Sequence, residues 1–403
     1  MWGRLSKSLF ICTGDISGDQ HASRLVEILK QQDPDLDVWG IGGPALEALG
    51  ADLLYNSQDL TLIGIVAVIK KVPMLAKVRS HLLQQIANRK PDTVLLVDYG
   101  GFNLNLATAI RKAHPDMPIV YFISPQVWGS RPWRINTIAK TITKMLVIFP
   151  FEEKLYRGRD VDATFVGHPL TEKYADISAG FSKQEFCAKH GLDAERPIVA
   201  IFPGSRRAEI MSFMPMLMQA ALWLKGERPQ LQFVISQANP KIGGFIYDAL
   251  LKSRRTENAT HPQQGFLKIV TADQNRDLMA AADVLWTKSG TITLEAAFME
   301  RPMIVYYRGD WLSFIIFILF KRVKYVCWPN LIAGRMLVPE LFQLDCRAEQ
   351  LVRYTRDLLD VPAARESITQ QLRDIKSYLS KGDFAANAAE HLQRVLDKAA
   401  QAN

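Results

Sequence analysis

Short apolar runs that end in turn residues recur along this chain and restrict its fold more than any other feature. Leu9-Phe10-Ile11-Cys12-Thr13, Val38-Trp39-Gly40-Ile41, Thr93-Val94-Leu95-Leu96-Val97 and Ile119-Val120-Tyr121-Phe122 come first. Ile198-Val199-Ala200-Ile201-Phe202, Leu231-Gln232-Phe233-Val234-Ile235, Leu267-Lys268-Ile269-Val270, Val284-Leu285-Trp286 and Met303-Ile304-Val305-Tyr306-Tyr307 follow. A strand with one wet face alternates apolar and polar residues. These runs do not alternate, and helical patterns separate them, so they belong to parallel sheets covered on both faces. Two of the runs read as first strands of doubly wound domains: residues 9–13, leading into Gly14-Asp15-Ile16-Ser17-Gly18-Asp19, and residues 198–202, leading into Pro203-Gly204-Ser205-Arg206-Arg207-Ala208-Glu209.

A chain of 403 residues is long for one core, which agrees with two such domains. The polar stretch 171–196 separates the two sets of strands, and the chain from about Ala348 onward is helical and charged. The expected division is 1–175, 176–365 and a C-terminal helical segment, 366–403, that packs across the domains or is exchanged in a dimer.

The excess of Lys+Arg over Asp+Glu, 49 to 41, gives a net charge of +8 and suits an acidic partner. Anionic lipid and phosphorylated small molecules fit; no DNA- or RNA-binding motif is present, so nucleic acid is not expected. Cys12, Cys187, Cys327 and Cys346 are widely spaced with no Cys-x-x-Cys, which reads as buried thiols in a reducing compartment rather than a zinc site. The N-terminus runs directly into a strand, so no signal peptide is expected and the protein belongs on the cytoplasmic side. Spanning a bilayer takes about 20 apolar residues, and the nearest run, 311–320, is too short, leaving a buried or an interfacial helix. Residues 62–79 mix apolar positions with Lys70, Lys71, Lys77 and Arg79. This is the pattern of an element docked on anionic lipid, or of a helix packed on the first sheet.

A ligand seat is visible after the run 284–286. Ser289-Gly290-Thr291 reads as a tight turn opening a helix, where unpaired amides and the helix dipole favour an anion such as a diphosphate. Glu295 lies one helical turn deeper, placed to accept hydrogen bonds from ribose hydroxyls or simply to face solvent. A nucleotide sugar carries both groups.

With these pieces in order, the chain resembles the lipid A disaccharide synthase family, inverting glycosyltransferases of the two-Rossmann, GT-B type. The resemblance runs through Gly14-Asp15-Ile16-Ser17-Gly18-Asp19, Gly40-Ile41-Gly42-Gly43-Pro44, Val97-Asp98-Tyr99-Gly100-Gly101-Phe102-Asn103, Ile123-Ser124-Pro125-Gln126-Val127-Trp128, Phe149-Pro150-Phe151-Glu152 and Phe165-Val166-Gly167-His168-Pro169-Leu170. It continues with Pro203-Gly204-Ser205-Arg206, Ser289-Gly290-Thr291 with Glu295, and Pro329-Asn330-Leu331-Ile332-Ala333-Gly334-Arg335. It implies an α/β fold of two Rossmann-like doubly wound parallel-sheet domains facing a cleft. It also implies a reaction joining UDP-2,3-diacylglucosamine to 2,3-diacylglucosamine 1-phosphate, with inversion, on the inner face of the inner membrane. No cofactor and no metal are implied, and relatives are expected to exchange C-terminal helices in a homodimer.

The resemblance assigns roles residue by residue. Asp98, at the end of an apolar strand, becomes the base that takes a proton from the acceptor's 6-hydroxyl; an Asp here also suits a helix N-cap. Gly100-Gly101 departs from the family's usual Pro followed by Gly or Asp. Arg206, with Gly204 and Ser205, is assigned to the diphosphate, and the alternative for Arg206 is a surface arginine like Arg207. Asp15, Ser17, Gly18 and Asp19 line the acceptor side, and Asn330 is a nucleotide contact or a turn residue. Gln126, Gly334 and Arg335 come with the substrate motifs. Lys288 has no family role and either adds charge to the seat or points away. His168 reads as a hinge, and Trp128, Trp133 and Tyr121 as sugar platforms or core. Two other readings stay open: a UDP-N-acetylglucosamine 2-epimerase and a non-catalytic membrane-associated nucleotide binder.

Overall fold

A computed structural model describes residues 6–60, 65–130, 132–176, 180–248, 267–309 and 324–402, with side chains for all of these except 60, 65–72, 130 and 402. The run 311–320 and the side chains of 62–72 lie outside what is described; further along the helix Ile65–Arg89, Val78 is buried in the core of the first sheet and Leu75 packs against it, while Met74, Ala76 and Lys77 are exposed. The chain forms two compact units, residues 1–172 with 379–403, and residues 173–378.

The first unit holds a seven-stranded parallel sheet in the order β3-β2-β1-β4-β5-β6-β7. Its strands are β1 (Ser8–Thr13), β2 (Asp37–Gly42), β3 (Asp52–Asn56), β4 (Thr93–Val97), β5 (Ile119–Phe122), β6 (Lys144–Val147) and β7 (Ala163–Phe165). The unbroken apolar runs have a direct cause here. Leu9, Ile11, Val38, Leu95, Val97, Val120 and Phe122 face one core, while Phe10, Cys12, Trp39, Ile41, Val94, Leu96 and Tyr121 face another. Successive strand residues point to opposite faces, and both faces are dry.

The helix Ile16–Gln32 covers the first of these faces together with the last helix, Phe384–Ala402. That last helix buries Phe384, Ala385, Ala388, Ala389, Leu392 and Leu396, a stripe at helical spacing. Phe384 stacks on Phe122, its amide donates to Glu172 Oε1 at 3.0 Å, and Lys381 Nζ donates to the Phe165 carbonyl at 2.6 Å. The preceding helix, Pro362–Leu379, belongs up to Tyr378 to the second unit, where Arg373 and Lys376 pair with Glu300 at 2.7 and 3.6 Å. The segment 366–403 is thus shared between the units, the crossing lying at 378–379.

The second unit holds a six-stranded parallel sheet in the order β10-β9-β8-β11-β12-β13. Its strands are β8 (Ile198–Phe202), β9 (Gln232–Gln237), β10 (Leu267–Thr271), β11 (Val284–Lys288), β12 (Met303–Tyr307) and β13 (Glu340–Phe342). The helices Arg207–Glu227 and Ala348–Asp360 cover one face, and Trp286 closes that core by donating its indole N–H to Thr355 Oγ1 at 2.9 Å.

Both sheets reverse their winding once. In the first the reversal falls between β1 and β4, in the second between β8 and β11. In open parallel sheets a ligand crevice forms at this point, beyond the carboxyl ends of the strands. The motifs singled out above sit there: 14–19 and 98–103 in one unit, 203–206 and 289–291 in the other. All four cysteines are buried free thiols, and among the described residues no helix is long and apolar enough to cross a membrane.

Candidate active site

Asp98 follows β4 directly, and its backbone sits in the left-handed region with φ 44°, as does that of Tyr99 with φ 48°. Such a conformation persists in a non-glycine residue only where its surroundings fix it. Here the Asp98 amide donates to the Phe122 carbonyl at 3.0 Å. The Asp98 carbonyl accepts from Asn103 Nδ2 at 2.9 Å and from the Tyr121 hydroxyl. Asn103 is fully buried and also bonds the Val97 carbonyl at 3.1 Å, so it locks the strand end to the helix Gly100–Ala113. Asp98 does not cap that helix; Tyr99 holds the N-cap position, without a side-chain bond. The carboxylate takes a hydrogen bond from the backbone at Tyr99.

Solvent reaches Asp98, yet protein surrounds it closely. Burial, and then the negative charge of Asp15, push its pKa up to about 6, against a smaller opposing hydrogen bond from the backbone at Tyr99. The turn after Asp98 is tight: a Cβ on Gly100 would lie 2.5 Å from Pro125 Cβ, whereas one on Gly101 would meet nothing within 4 Å. Glycine is therefore required at 100 and optional at 101.

Asp15 caps the helix Ile16–Gln32, accepting the Gly18 amide at 2.7 Å. Ser17 is exposed with its hydroxyl 3.3 Å from His21 Nε2. Asp19 is buried, and its carboxylate takes the amides of Gly43, Ala45 and Leu46 at 2.7, 2.9 and 3.4 Å. Asp19 therefore anchors the turn after β2. Gln126 is exposed in the loop after β5. Trp128, half-buried, donates its indole N–H to Glu152 Oε1 at 3.0 Å, Trp133 is 65% exposed, and Tyr121 is core. Glu152 is a group to which the sequence assigned no role. It is buried, its Oε2 has no hydrogen-bond partner among the described residues, and burial pushes its pKa up to about 8. His168 is also buried, accepts the Leu170 amide on Nδ1 at 3.1 Å, and is held neutral by burial with its pKa lowered to about 3.

In the second unit the loop after β8 turns through Gly204, whose φ of +111° and 2.5 Å clearance to Glu209 Oε2 admit no side chain. Glu209 accepts the amides of Ser205 and Arg206 at 3.1 and 3.3 Å. The carboxylate thus occupies amides that the sequence would offer to a diphosphate, and the spacing from Arg206 to Glu209 is the signal that would have found it. Arg206 is exposed, while Arg207 stacks over Phe245 at 4.7 Å.

After β11, Ser289 donates its hydroxyl to the Val326 carbonyl at 2.8 Å, and the helix Ile292–Phe298 begins past Thr291. A Cβ on Gly290 would meet nothing within 4 Å, so the protein's own packing does not demand glycine there. Glu295 Oε2 accepts from the Tyr174 hydroxyl and lies 3.1 Å from Lys173 Nζ, two partners the sequence did not announce.

Asn330 is buried and fully engaged. Its Nδ2 donates to the Val338 carbonyl and to Glu340 Oε2, both at 2.9 Å, and its Oδ1 accepts from Leu337 and Val338 at 2.7 and 2.9 Å. Its side-chain amide braces the loop between the helix Trp328–Ala333 and β13. Gly334 closes that helix in the left-handed conformation, and Arg335 reaches Gln371. Among the described residues no three His, Cys, Asp or Glu side chains are grouped as a metal site.

The profile of the lipid-A-disaccharide synthetase family matches residues 9–394. A lipid-A-disaccharide synthase of Anaeromyxobacter sp. strain K is 34% identical over 394 residues, 98% of each chain. Lipid-A-disaccharide synthase 1 of Legionella pneumophila strain Lens is 37% identical over 370 residues, 92% of each chain. Among solved structures, UDP-GlcNAc 2-epimerase from Neisseria meningitidis bound to UDP-GlcNAc has a TM-score of 0.60 at 12% identity, covering 97% of this chain and 100% of that one. The Anabaena protein HepE in complex with UDP and glucose has a TM-score of 0.51 at 13% identity, covering 97% and 99%. These two likenesses concern the fold alone. The full-length family match and the relatives above 30% identity decide between the readings, and the chain belongs to the lipid-A-disaccharide synthase family.

Proposed function

We propose that this chain joins UDP-2,3-diacylglucosamine to 2,3-diacylglucosamine 1-phosphate, releasing UDP and inverting the anomeric centre. The acceptor's 6-oxygen forms the new bond to the anomeric carbon as the bond from that carbon to the diphosphate breaks. The proton of the 6-hydroxyl passes to Asp98, and UDP leaves with the electron pair. A base for this step needs a pKa near the working pH and a fixed direction. The observation that carries the reading is Asp98 itself: its backbone is clamped through its own carbonyl, solvent reaches its side chain, and its pKa is raised to about 6.

The remaining roles follow from chemistry. Arg206 stabilises charge on the departing diphosphate at the turn 289–291, and Glu295, oriented by Tyr174, accepts ribose hydroxyls. The first unit takes the acceptor and the second the UDP-sugar. Acylated substrates place the reaction at a membrane surface, and a net charge of +8 suits anionic lipid. Peripheral attachment to the inner face of the inner membrane, and a homodimer, belong to the same reading.

The test is a mass-spectrometric product assay with both acylated substrates, with and without EDTA, on the unaltered chain and on Asp98→Asn. Asparagine tolerates the left-handed backbone better than alanine, so the variant separates loss of the base from loss of fold. The expected result is disaccharide 1-phosphate in EDTA, and a rate lower by about 10²- to 10⁴-fold in a variant of unchanged melting temperature. An unaltered chain that makes no disaccharide but epimerises UDP-N-acetylglucosamine overturns the reading.

A further inference from the structure

Lys288 ends β11, one residue before the turn 289–291, and the sequence left open whether it adds charge to that seat or points away. Its Nζ lies 3.1 Å from Glu209 Oε1 and 5.6 Å from the centre of the Tyr307 ring. The two side chains are only 21% and 16% exposed. β8 and β11 are neighbours, with Phe202 opposite Thr287, so this pair ties together the two loops that flank the reversal of the sheet. Glu209 keeps two amide donors on its other oxygen whether or not Lys288 stays on Oε1. The ammonium has three donors and no acceptor, and its contact with Glu209 leaves donors for an anion. A lysine desolvated and held in this way is prepaid in side-chain entropy.

We propose that Lys288 is a second cation on the diphosphate of the bound nucleotide sugar, beside Arg206, and that Glu209 is the positioning residue that aims it. This rests on the reading of the second unit as the UDP-sugar site. A competing role makes a different prediction. If Lys288 only neutralised Glu209, removing both charges together would restore affinity, whereas a cation that touches the diphosphate is missed even when Glu209 is neutral.

The experiment is calorimetric titration of the full chain with UDP, with uridine measured by displacement, for the unaltered protein, Lys288→Met, Lys288→Arg, Glu209→Gln and the Met/Gln double variant. Lys288→Met is expected to weaken UDP by about ten-fold and uridine by less than about two-fold, with Lys288→Arg recovering most of the loss. Glu209→Gln, which keeps an oxygen for the two amides, is expected to weaken UDP a few-fold, and the double variant to remain as weak as Lys288→Met. A double variant with unaltered affinity, equal losses for UDP and uridine, or no loss in Lys288→Met each overturns the proposal. An unaltered chain that does not bind UDP overturns the reading beneath it, and the inference with it.

Discussion

The raised pKa of Asp98 makes a prediction about rate against pH that can be worked through. With a pKa of about 6, the ionised fraction of the base is about ten-elevenths at pH 7 and about one-eleventh at pH 5, so kcat/KM falls about ten-fold between them. At the ordinary value of 3.8 the same interval would leave the rate almost unchanged. The acceptor's own phosphate complicates this, because phosphate monoesters lose their second proton near pH 6 as well. Asp15→Asn separates the two. Asparagine still caps the helix Ile16–Gln32, so the fold is kept, but the negative charge that helps hold Asp98 protonated is gone. Since burial is the larger cause and Asp15 the second, the acid limb should move down, by less than the whole of the roughly two-unit displacement from 3.8 to 6. A limb owned by the substrate would not move at all. Initial rates from pH 4.5 to 8, with the acceptor below its KM, decide the matter. An acid limb near pH 4 in the unaltered chain, or one near 6 that Asp15→Asn leaves in place, refutes the assignment.

Two further substitutions test the structure behind the site. Glu152 is pushed up to about 8 by burial, so between its ordinary value of 4.5 and pH 8 the folded chain keeps a proton that the unfolded chain gives up, and stability falls as pH rises through that window. Glu152→Gln has no proton to lose and still offers Trp128 an oxygen, so its melting temperature relative to the unaltered chain should climb from pH 5 to pH 8; parallel curves would refute the buried acid. Asn330→Ala strands the amides of Leu337 and Val338, the Val338 carbonyl and Glu340 Oε2, and at about 1 to 3 kcal/mol for each group left unpaired the loss should exceed about 3 kcal/mol in urea unfolding. Unchanged stability with weakened UDP binding would instead make Asn330 a nucleotide contact.

Most strands easy to see in the sequence are buried on both faces, with nothing to interrupt their apolar runs; β10, an edge strand whose residues are mostly half-buried, is the exception. The strands β3, β6, β7 and β13 gave no comparable signal. β3 lies at the sheet edge with its residues half-buried or exposed, β7 and β13 have three residues each, and β6 opens on Lys144. Short strands at or near an edge bury too little to leave a pattern. The positions of Asp98, Arg206 and the turn 289–291 in the fold were legible because each follows a readable strand end. The backbone contacts of Asp19, Glu209 and Asn330 were not legible, because a polar side chain that serves backbone amides has the same one-letter code as one that serves a ligand. For Asp19 those amides lie 24 to 27 residues away, beyond any local pattern.

The residues that follow the central strands differ in charge between the two units. Where the first sheet reverses, two carboxylates follow the central strands, Asp15 after β1 and Asp98 after β4, and their mutual repulsion is part of what keeps Asp98 near the working pH. Where the second sheet reverses, Arg206 follows β8 and Lys288 closes β11, and Glu209 between them is paired with Lys288 and two amides. A displacement that removes a proton and expels a diphosphate asks for this division. A cation beside Asp98 would lower its pKa and weaken it as a base, and an unpaired carboxylate beside the diphosphate would raise the barrier to departure. Both sheets reverse at equivalent points, and on the proposed reading the charges on the loops after the central strands suit the first to take a proton and the second to hold an anion.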